Sequence, residues 1–191
     1  LLLGALVMDE ASGKPAGAVH CVAPTADIEM DDTWFTLGMR GSGSKDLVTD
    51  GVFVPEHRAM PTRELFRGDF EGGPEIGPLY RLPVMGGLAT MLAAAVLGMT
   101  EAGLARFAEA TGSRREAYSG NSKAEKPGVQ MRLAEALGEA ETAALLIEQN
   151  CALLEAAMAE NKPPLPTKRA AAIRWNAAYA AELCRRATER V

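Results

Sequence analysis

Aromatic side chains are scarce, at 5% of the 191 residues, whereas alanine is abundant. A sandwich core filled by large rings is therefore excluded, and closely packed helices are favoured. Cysteine is limited to Cys21, Cys151 and Cys184. An odd, sparse set cannot form a disulfide framework and suits a reducing cytoplasm. The only histidines, His20 and His57, stand far from any cysteine or acidic cluster with ligand spacing, so no metal site is expected. A basic excess is missing too: the formal net charge is −5, which speaks against a nucleic-acid partner. No basic segment precedes the apolar start "LLLGALVMD", so it is not a signal peptide. It reads as a strand entered midway, and a fragment of a longer protein is expected.

Charge is absent from Leu82 to Thr100, a length sufficient to span a bilayer. The run is mostly Ala and Gly, with Pro83 near its start, so its insertion energy is weak. A central helix buried on all sides is the expected form, and no membrane partner follows.

What is present divides into a β part and an α part, an α+β chain. "LLLGALVM" and "AGAVHCVAP" read as strands around the turn Ser12-Gly13-Lys14-Pro15. "DIEMDDTWFTLG" reads as a third, irregular strand and "DLVTDGVFVP" as a fourth. Together they resemble half of an antiparallel barrel or sandwich over residues 1–58. Residues 59–81, dense in Gly and Pro, read as a linker. An up-down helical bundle follows over 82–191.

The first long helix is expected over 83–118, with Leu88, Leu92, Ala95 and Met99 on its buried stripe, prolonged by Ala102 and Ala105. Gly98 and Gly103 would admit a neighbouring helix. The second is expected over 127–160, Pro127 in its first turn. Its seam is Leu133, Leu137, Ala140, Ala144, Ile147, Cys151, Leu154 and Met158. "NKPPLP" at 161–166 ends it. A third helix starts near Thr167, which is placed to cap it, and carries Ala170, Ile173, Ala177, Ala180, Cys184, Ala187 and Val191. A fourth helix would complete the bundle, and the small residues on two stripes imply a homo-oligomer.

Three constellations offer chemistry. In the loop Arg40-Gly41-Ser42-Gly43-Ser44-Lys45, glycines permit positive φ, so consecutive N–H groups can form an anion nest beside Ser42, Ser44 and two cations. An ordinary polar loop explains the same residues. In 113–136, Arg114, Arg115 and Lys123 surround Tyr118 at a helix end; a phosphate site and a solvated helix end are both open. Gln130 continues the second helix's stripe, where a polar group needs a partner, either a side chain or a ligand. No Ser/His/Asp set, CxxC or HExxH appears. Glu135, Glu139 and Glu141 read as a polar helix face.

The run "DTWFTLGMRGSGSKDLVTDGVFVPEHR" resembles the middle β-domain of the acyl-CoA dehydrogenase superfamily, and "RREAYSG…VQMRLAEA" resembles the start of its C-terminal helical domain. The form Arg-Gly-Ser-Gly-Ser is similar to the superfamily's flavin-dependent hydroxylases, the oxygenase components of two-component monooxygenases. Pro127, standing where dehydrogenases usually keep a Gln, points the same way. The resemblance implies an acyl-CoA dehydrogenase-like fold whose N-terminal helical domain and last helix lie outside these residues. It also implies FMN or FAD as cofactor, reduced by a partner flavin reductase, a small organic substrate, O2-dependent hydroxylation and a cytoplasmic homotetramer. It assigns Arg115 to the flavin's phosphate side across a subunit interface, with Tyr118 as the nearby aromatic. Arg40, Ser42 and Ser44 fall near flavin and substrate, and Gln130 at a flavin or interface contact. It supplies no catalytic acid or base within the chain. The alternatives it leaves are an FAD-dependent acyl-CoA dehydrogenase and a truncated assembly or binding module without activity.

Overall fold

The computed structural model describes residues 1–67, 77–160 and 165–191. The chain divides into two compact units, Leu1–Phe66 and Arg67–Val191.

In the first unit, β1 (Leu2–Met8) pairs antiparallel with β2 (Pro15–Val22), from Leu2 opposite Val22 to Val7 opposite Gly17. The turn between them forms as its residues dictate. Asp9 Oδ1 accepts from the Ser12 amide at 2.7 Å and from Ser12 Oγ at 2.6 Å, and Gly13 takes φ +66°. These bonds to Ser12 hold the Asp9 carboxyl below the usual carboxylate range. β3 (Glu29–Asp31) and β4 (Asp46–Val48) form a separate antiparallel pair. Both are far shorter than expected. Asp31 lies directly opposite Asp46, a like-charge pair that disfavours extension, and Gly51 at φ +62° turns the backbone soon after β4.

The segment expected as a linker starts inside the sheet. Ala59–Pro61 forms β5, which pairs with Val19–Cys21 and gives the strand order β1-β2-β5. The short helix α1 (Thr62–Arg67) follows. His20 on β2 fixes it: Nδ1 lies 2.9 Å from Thr62 Oγ1, and the ring meets Phe66 edge-on at 5.2 Å. The rest of the expected linker at 68–76, and the helix-ending residues 161–164, lie outside the described residues.

In the second unit, α2 (Val84–Ser113), α3 (Pro127–Ala159) and α4 (Thr167–Arg190) pack on one another. Gly86 near the start of α2 abuts Leu154 and Ile173, whereas Leu104 clusters with Ala136, Ala140 and Ala187. Hence α3 runs antiparallel to both α2 and α4. The seam of α3 is Ala136, Ala140, Ala143, Ile147, Asn150 and Leu154, a strict alternation of four and three. The expected seam shared Ala140, Ile147 and Leu154 but placed Leu137, Ala144 and Cys151 where Ala136, Ala143 and Asn150 are buried. Alanine at the contacts lets backbones approach, and each large buried side chain adds about 2 kcal/mol. α4 buries Ile173, Ala177, Ala180, Cys184 and Ala187 as expected, together with Asn176 and Leu183. Thr167 is its first helical residue and not its cap; Pro166 stands at the cap position, with no side-chain cap bond.

α2 departs most from expectation. It buries Gly87, Thr90, Ala93, Thr100, Leu104 and Thr111, while Leu92 is 58% and Met99 68% exposed. Its first half, up to Thr100, has no charge on any side and so offers no periodic signal, and the face with small and hydroxyl side chains packs closest. The threonines are tolerated there because each donates to the carbonyl four residues back, Thr90 to Gly86 at 2.8 Å and Thr111 to Phe107 at 2.6 Å. Nor is α2 buried on all sides: only 22% of its most apolar 18-residue window is buried, and by length and composition it could cross a membrane.

The core between the three helices is polar at one level. Asn150 Nδ2 donates to Ile173 O at 2.9 Å and to Thr90 Oγ1 at 3.3 Å, and its Oδ1 accepts from Asn176 at 3.0 Å. Asn176 also donates to Gln149 at 3.1 Å. Towards the C-terminal end of α4, Arg190 grips Glu139 with two bonds of 2.7 and 2.9 Å and reaches Glu135 at 2.6 Å; Arg186 adds 2.8 Å to Glu139. Glu139 is therefore an interhelix anchor, not part of a free polar face.

Candidate functional site

α2 ends at Ser113, five residues before the expected limit, because the backbone turns into a hairpin. Arg115 bridges Ser122, the Glu116 amide donates to Asn121 O at 2.9 Å, and the Lys123 amide donates to Arg114 O at 3.0 Å. Gly120 closes the turn at φ +71°, a conformation that other side chains resist. Its amide donates to Glu116 O at 3.1 Å, and its carbonyl accepts from Arg115 Nη1 at 3.1 Å. One donor of the Arg115 guanidinium is thereby used, and the remainder of the fork stays available to an anion. Tyr118 is fully exposed at the tip.

The hairpin is tied to α3. Lys126 forms an ion pair with Glu116, and Ser119 Oγ donates to the other Glu116 oxygen at 2.5 Å. Bonding from Lys126 and then Ser119 holds the Glu116 carboxyl below its ordinary range. Ser122 Oγ accepts from the Ala124 amide at 3.3 Å, a short 3-10 turn covers Lys123–Glu125, and Pro127 opens α3. Gln130 is exposed, off the buried seam; Val129 and Leu133 continue the seam instead. Its Nε2 donates to Ala124 O at 3.0 Å, which leaves the side-chain oxygen unengaged by that bond.

Within the first unit, the loop at 34–44 is bound to itself. Trp34 Nε1 donates to Met39 O at 2.8 Å, Arg40 Nε to Thr36 O at 2.9 Å, and Ser42 Oγ to Met39 O at 2.9 Å. Arg40–Ser42 forms a 3-10 turn flanked by left-handed residues, Met39 at φ 56° and Gly43 at φ 61°. A helical turn followed by a left-handed residue is the backbone form of an anion nest. Gly43 supplies it as expected; Gly41 does not take positive φ, and Met39 does. Arg40 and Ser44 are exposed, and the Arg40 bond to Thr36 uses Nε alone. Phe35, Leu37 and Met39 project from the same loop into solvent.

Arg115 and Tyr118 thus share one hairpin, with Gln130 a turn into the adjoining helix. Arg40, Ser42 and Ser44 share one loop. Sequence reasoning missed the Glu116–Lys126 pair, for which ten-residue spacing across a turn leaves no periodic trace. It also passed over Trp34, whose indole braces the loop.

Residues 90–191 match the family described as acyl-CoA dehydrogenase, C-terminal domain. The FADH(2)-dependent resorcinol hydroxylase oxygenase component of Rhizobium sp. is 32% identical over 161 residues, 81% of this chain and 39% of that protein. The pigment production hydroxylase of Rhodococcus sp. is 32% identical over 167 residues, 87% of this chain and 42% of that protein. The structure of XiaF from Streptomyces sp. in complex with FADH2 and glycerol superimposes with a TM-score of 0.87 at 26% identity, covering 97% of this chain and 47% of XiaF. The chain spans less than half the length of these relatives. With the helical unit matched from inside α2 through α4, more than half of all residues, the chain belongs to the acyl-CoA dehydrogenase family through its C-terminal domain.

Proposed function

We propose that the chain is part of a flavin-dependent monooxygenase, the oxygenase component that uses reduced flavin and O2 to hydroxylate a small aromatic or related organic substrate. The observation that carries the reading is the likeness across 97% of the chain to XiaF, whose structure holds FADH2. The residues present fit such a cofactor. The hairpin offers a guanidinium with unused donors, flanked by Arg114 and Lys123, to a phosphate-bearing anion. The 3-10 turn followed by left-handed Gly43 has the backbone form of a nest, beside the exposed Arg40 and Ser44.

Bound flavin would supply the electrons that activate O2, and a partner flavin reductase would supply it reduced. FMN and FAD both meet the chemistry. Arg115 would hold the phosphate end, with Tyr118 and Gln130 of the same corner as further contacts. Arg40, Ser42 and Ser44 donate to flavin or substrate at their own loop. The working form is a cytoplasmic homotetramer. Its support is the exposed apolar face of α2, with Leu88, Met91, Leu92 and Met99, and the open groove of about 360 Å³ between α2 and α3. No membrane or nucleic acid takes part.

The test is direct. Supplied with a phenolic substrate, flavin, a reductase and NAD(P)H, the full protein should consume O2 and release the hydroxylated phenol with water; reduction of a dye by an acyl-CoA, without hydroxylation, would instead identify a dehydrogenase. Arg115→Ala should weaken flavin binding by about 1–3 kcal/mol in a titration. An unchanged affinity would remove Arg115 from the site.

A further inference from the structure

We infer that Glu116 is a positioning residue, the strut that holds the Arg115 guanidinium in its binding orientation; the inference rests on the flavin reading above. Both carboxylate oxygens of Glu116 are engaged, one by Lys126 and one by Ser119 Oγ at 2.5 Å. These contacts hold the carboxyl below its ordinary range, which makes it a weak base and suits a structural role.

What it does instead follows from its two partners. Lys126 is the residue before α3, and its carbonyl accepts from the Val129 amide at 2.9 Å and the Gln130 amide at 3.1 Å. The ion pair therefore joins the hairpin to the first turn of a long, packed helix. Ser119 in turn accepts from the Asn121 amide at 3.2 Å. Glu116 thus clamps the tip, residues 119–121, from the side chain, while its carbonyl clamps it through the Gly120 amide.

Gly120 then passes the constraint on. Its carbonyl is the acceptor that orients Arg115 Nη1. The sequence of contacts runs from α3 to Lys126, Glu116, Ser119 and Gly120, and ends at Arg115. An exposed ion pair alone contributes little to stability. Here its effect falls on the direction of one guanidinium, where a small displacement changes affinity.

The experiment measures anaerobic binding of reduced FMN and FADH2 by the full protein, with hydrogen exchange at the Gly120 and Asn121 amides. Glu116→Gln should weaken binding about five- to tenfold at unchanged far-UV circular dichroism, and speed exchange at both amides. Exchanging the charges, Glu116→Lys with Lys126→Glu, should recover most of the affinity. In an Arg115→Ala background Glu116→Gln should add less than about twofold, because its effect passes through that arginine. Equal binding by Glu116→Gln and the parent overturns the proposal, as does an undiminished effect without Arg115. If Arg115→Ala binds flavin normally, Arg115 leaves the site and the positioning role falls with it, faster exchange in Glu116→Gln then confining Glu116 to holding the turn; if the parent protein binds neither reduced flavin, the flavin reading itself fails. If Arg115→Ala binds weakly and Glu116→Gln changes neither exchange nor affinity, only the strut is lost.

Discussion

In the sheet unit most polar side-chain bonding is local and lies at the surface, Asp9 with Ser12, Trp34 with Met39, Arg40 with Thr36, with the half-buried His20–Thr62 bond as the exception. Its buried apolar residues are few, Cys21, Ala23 and Ile28, while Leu2, Leu6, Phe35, Leu37 and Phe53 face solvent. In the helical unit the arrangement is reversed. Polar groups go inside, where Thr90, Asn150 and Asn176 satisfy one another between alanine seams. The first unit has well-formed turns around little core, and the second has a continuous core that requires its polar level to be complete. Local order and global stability are therefore supplied by different halves of the chain.

The largest expected effect tests the polar core. Asn150→Ala removes the donor to Ile173 O and Thr90 and the acceptor for Asn176, and leaves buried groups unpaired beside a cavity. A loss of about 3 kcal/mol is expected. The chain carries its own reporters, Trp34 in the sheet unit and Trp175 in the helical unit, the latter stacked on Tyr179 at 5.8 Å. In Trp34→Phe and Trp175→Phe backgrounds, urea unfolding followed by fluorescence reads each unit separately. Asn150→Ala should shift the Trp175 transition and leave that of Trp34 nearly in place. Equal shifts in both would abolish the distinction drawn between the units.

A middle-sized effect concerns Glu139. Its bidentate bond to Arg190, assisted by Arg186, holds its carboxyl below the ordinary range. A depressed folded-state value means that the contribution is fully present above the unfolded carboxylate range near pH 4.5. It is lost as pH falls through the lower folded value. Glu139→Gln should cost the helical unit about 1 kcal/mol at pH 7. It should also flatten the decline of the Trp175 midpoint between pH 5 and acid. A decline of undiminished slope in the variant would assign the acid sensitivity to other carboxylates.

Much of this contrast could be read in the sequence, and the parts that could not share a physical reason. α3 and α4 were legible because their polar faces carry Glu and Arg, which leaves a stripe of 3.6-residue periodicity. Even so, the α3 seam was read one residue off at three positions, since Cys151 looks more buriable than Asn150 until Thr90, Ile173 and Asn176 are known to be its partners. The first half of α2, up to Thr100, has no charged face against which to set a buried one. β5 was hidden because Pro55 reads as the close of the last strand and Pro61 as a linker residue, although the three residues at 59–61 pair with β2. At the candidate site, Arg115 and Tyr118 were legible from residue type and from the resemblance of "RREAYSG". The hairpin that unites them was not, because Gly120, Glu116 and Lys126 meet only once the backbone reverses.

The smallest effect is the sharpest comparison, since one substitution should have opposite signs in the two units. Gly43 sits at φ +61° in the loop of the sheet unit. Gly43→Ala forces a side chain into the left-handed region and should cost about 1 kcal/mol, read at Trp34. Gly98 lies within α2, with helical backbone and nothing within 4 Å of where a Cβ would stand. Gly98→Ala should therefore stabilise the helical unit by about 0.5–1 kcal/mol, read at Trp175 at low protein concentration. A second copy seated on this face would reverse the outcome as concentration rises, because the added methyl would keep the helices apart. Stabilisation independent of concentration would rule this face out as a contact between copies.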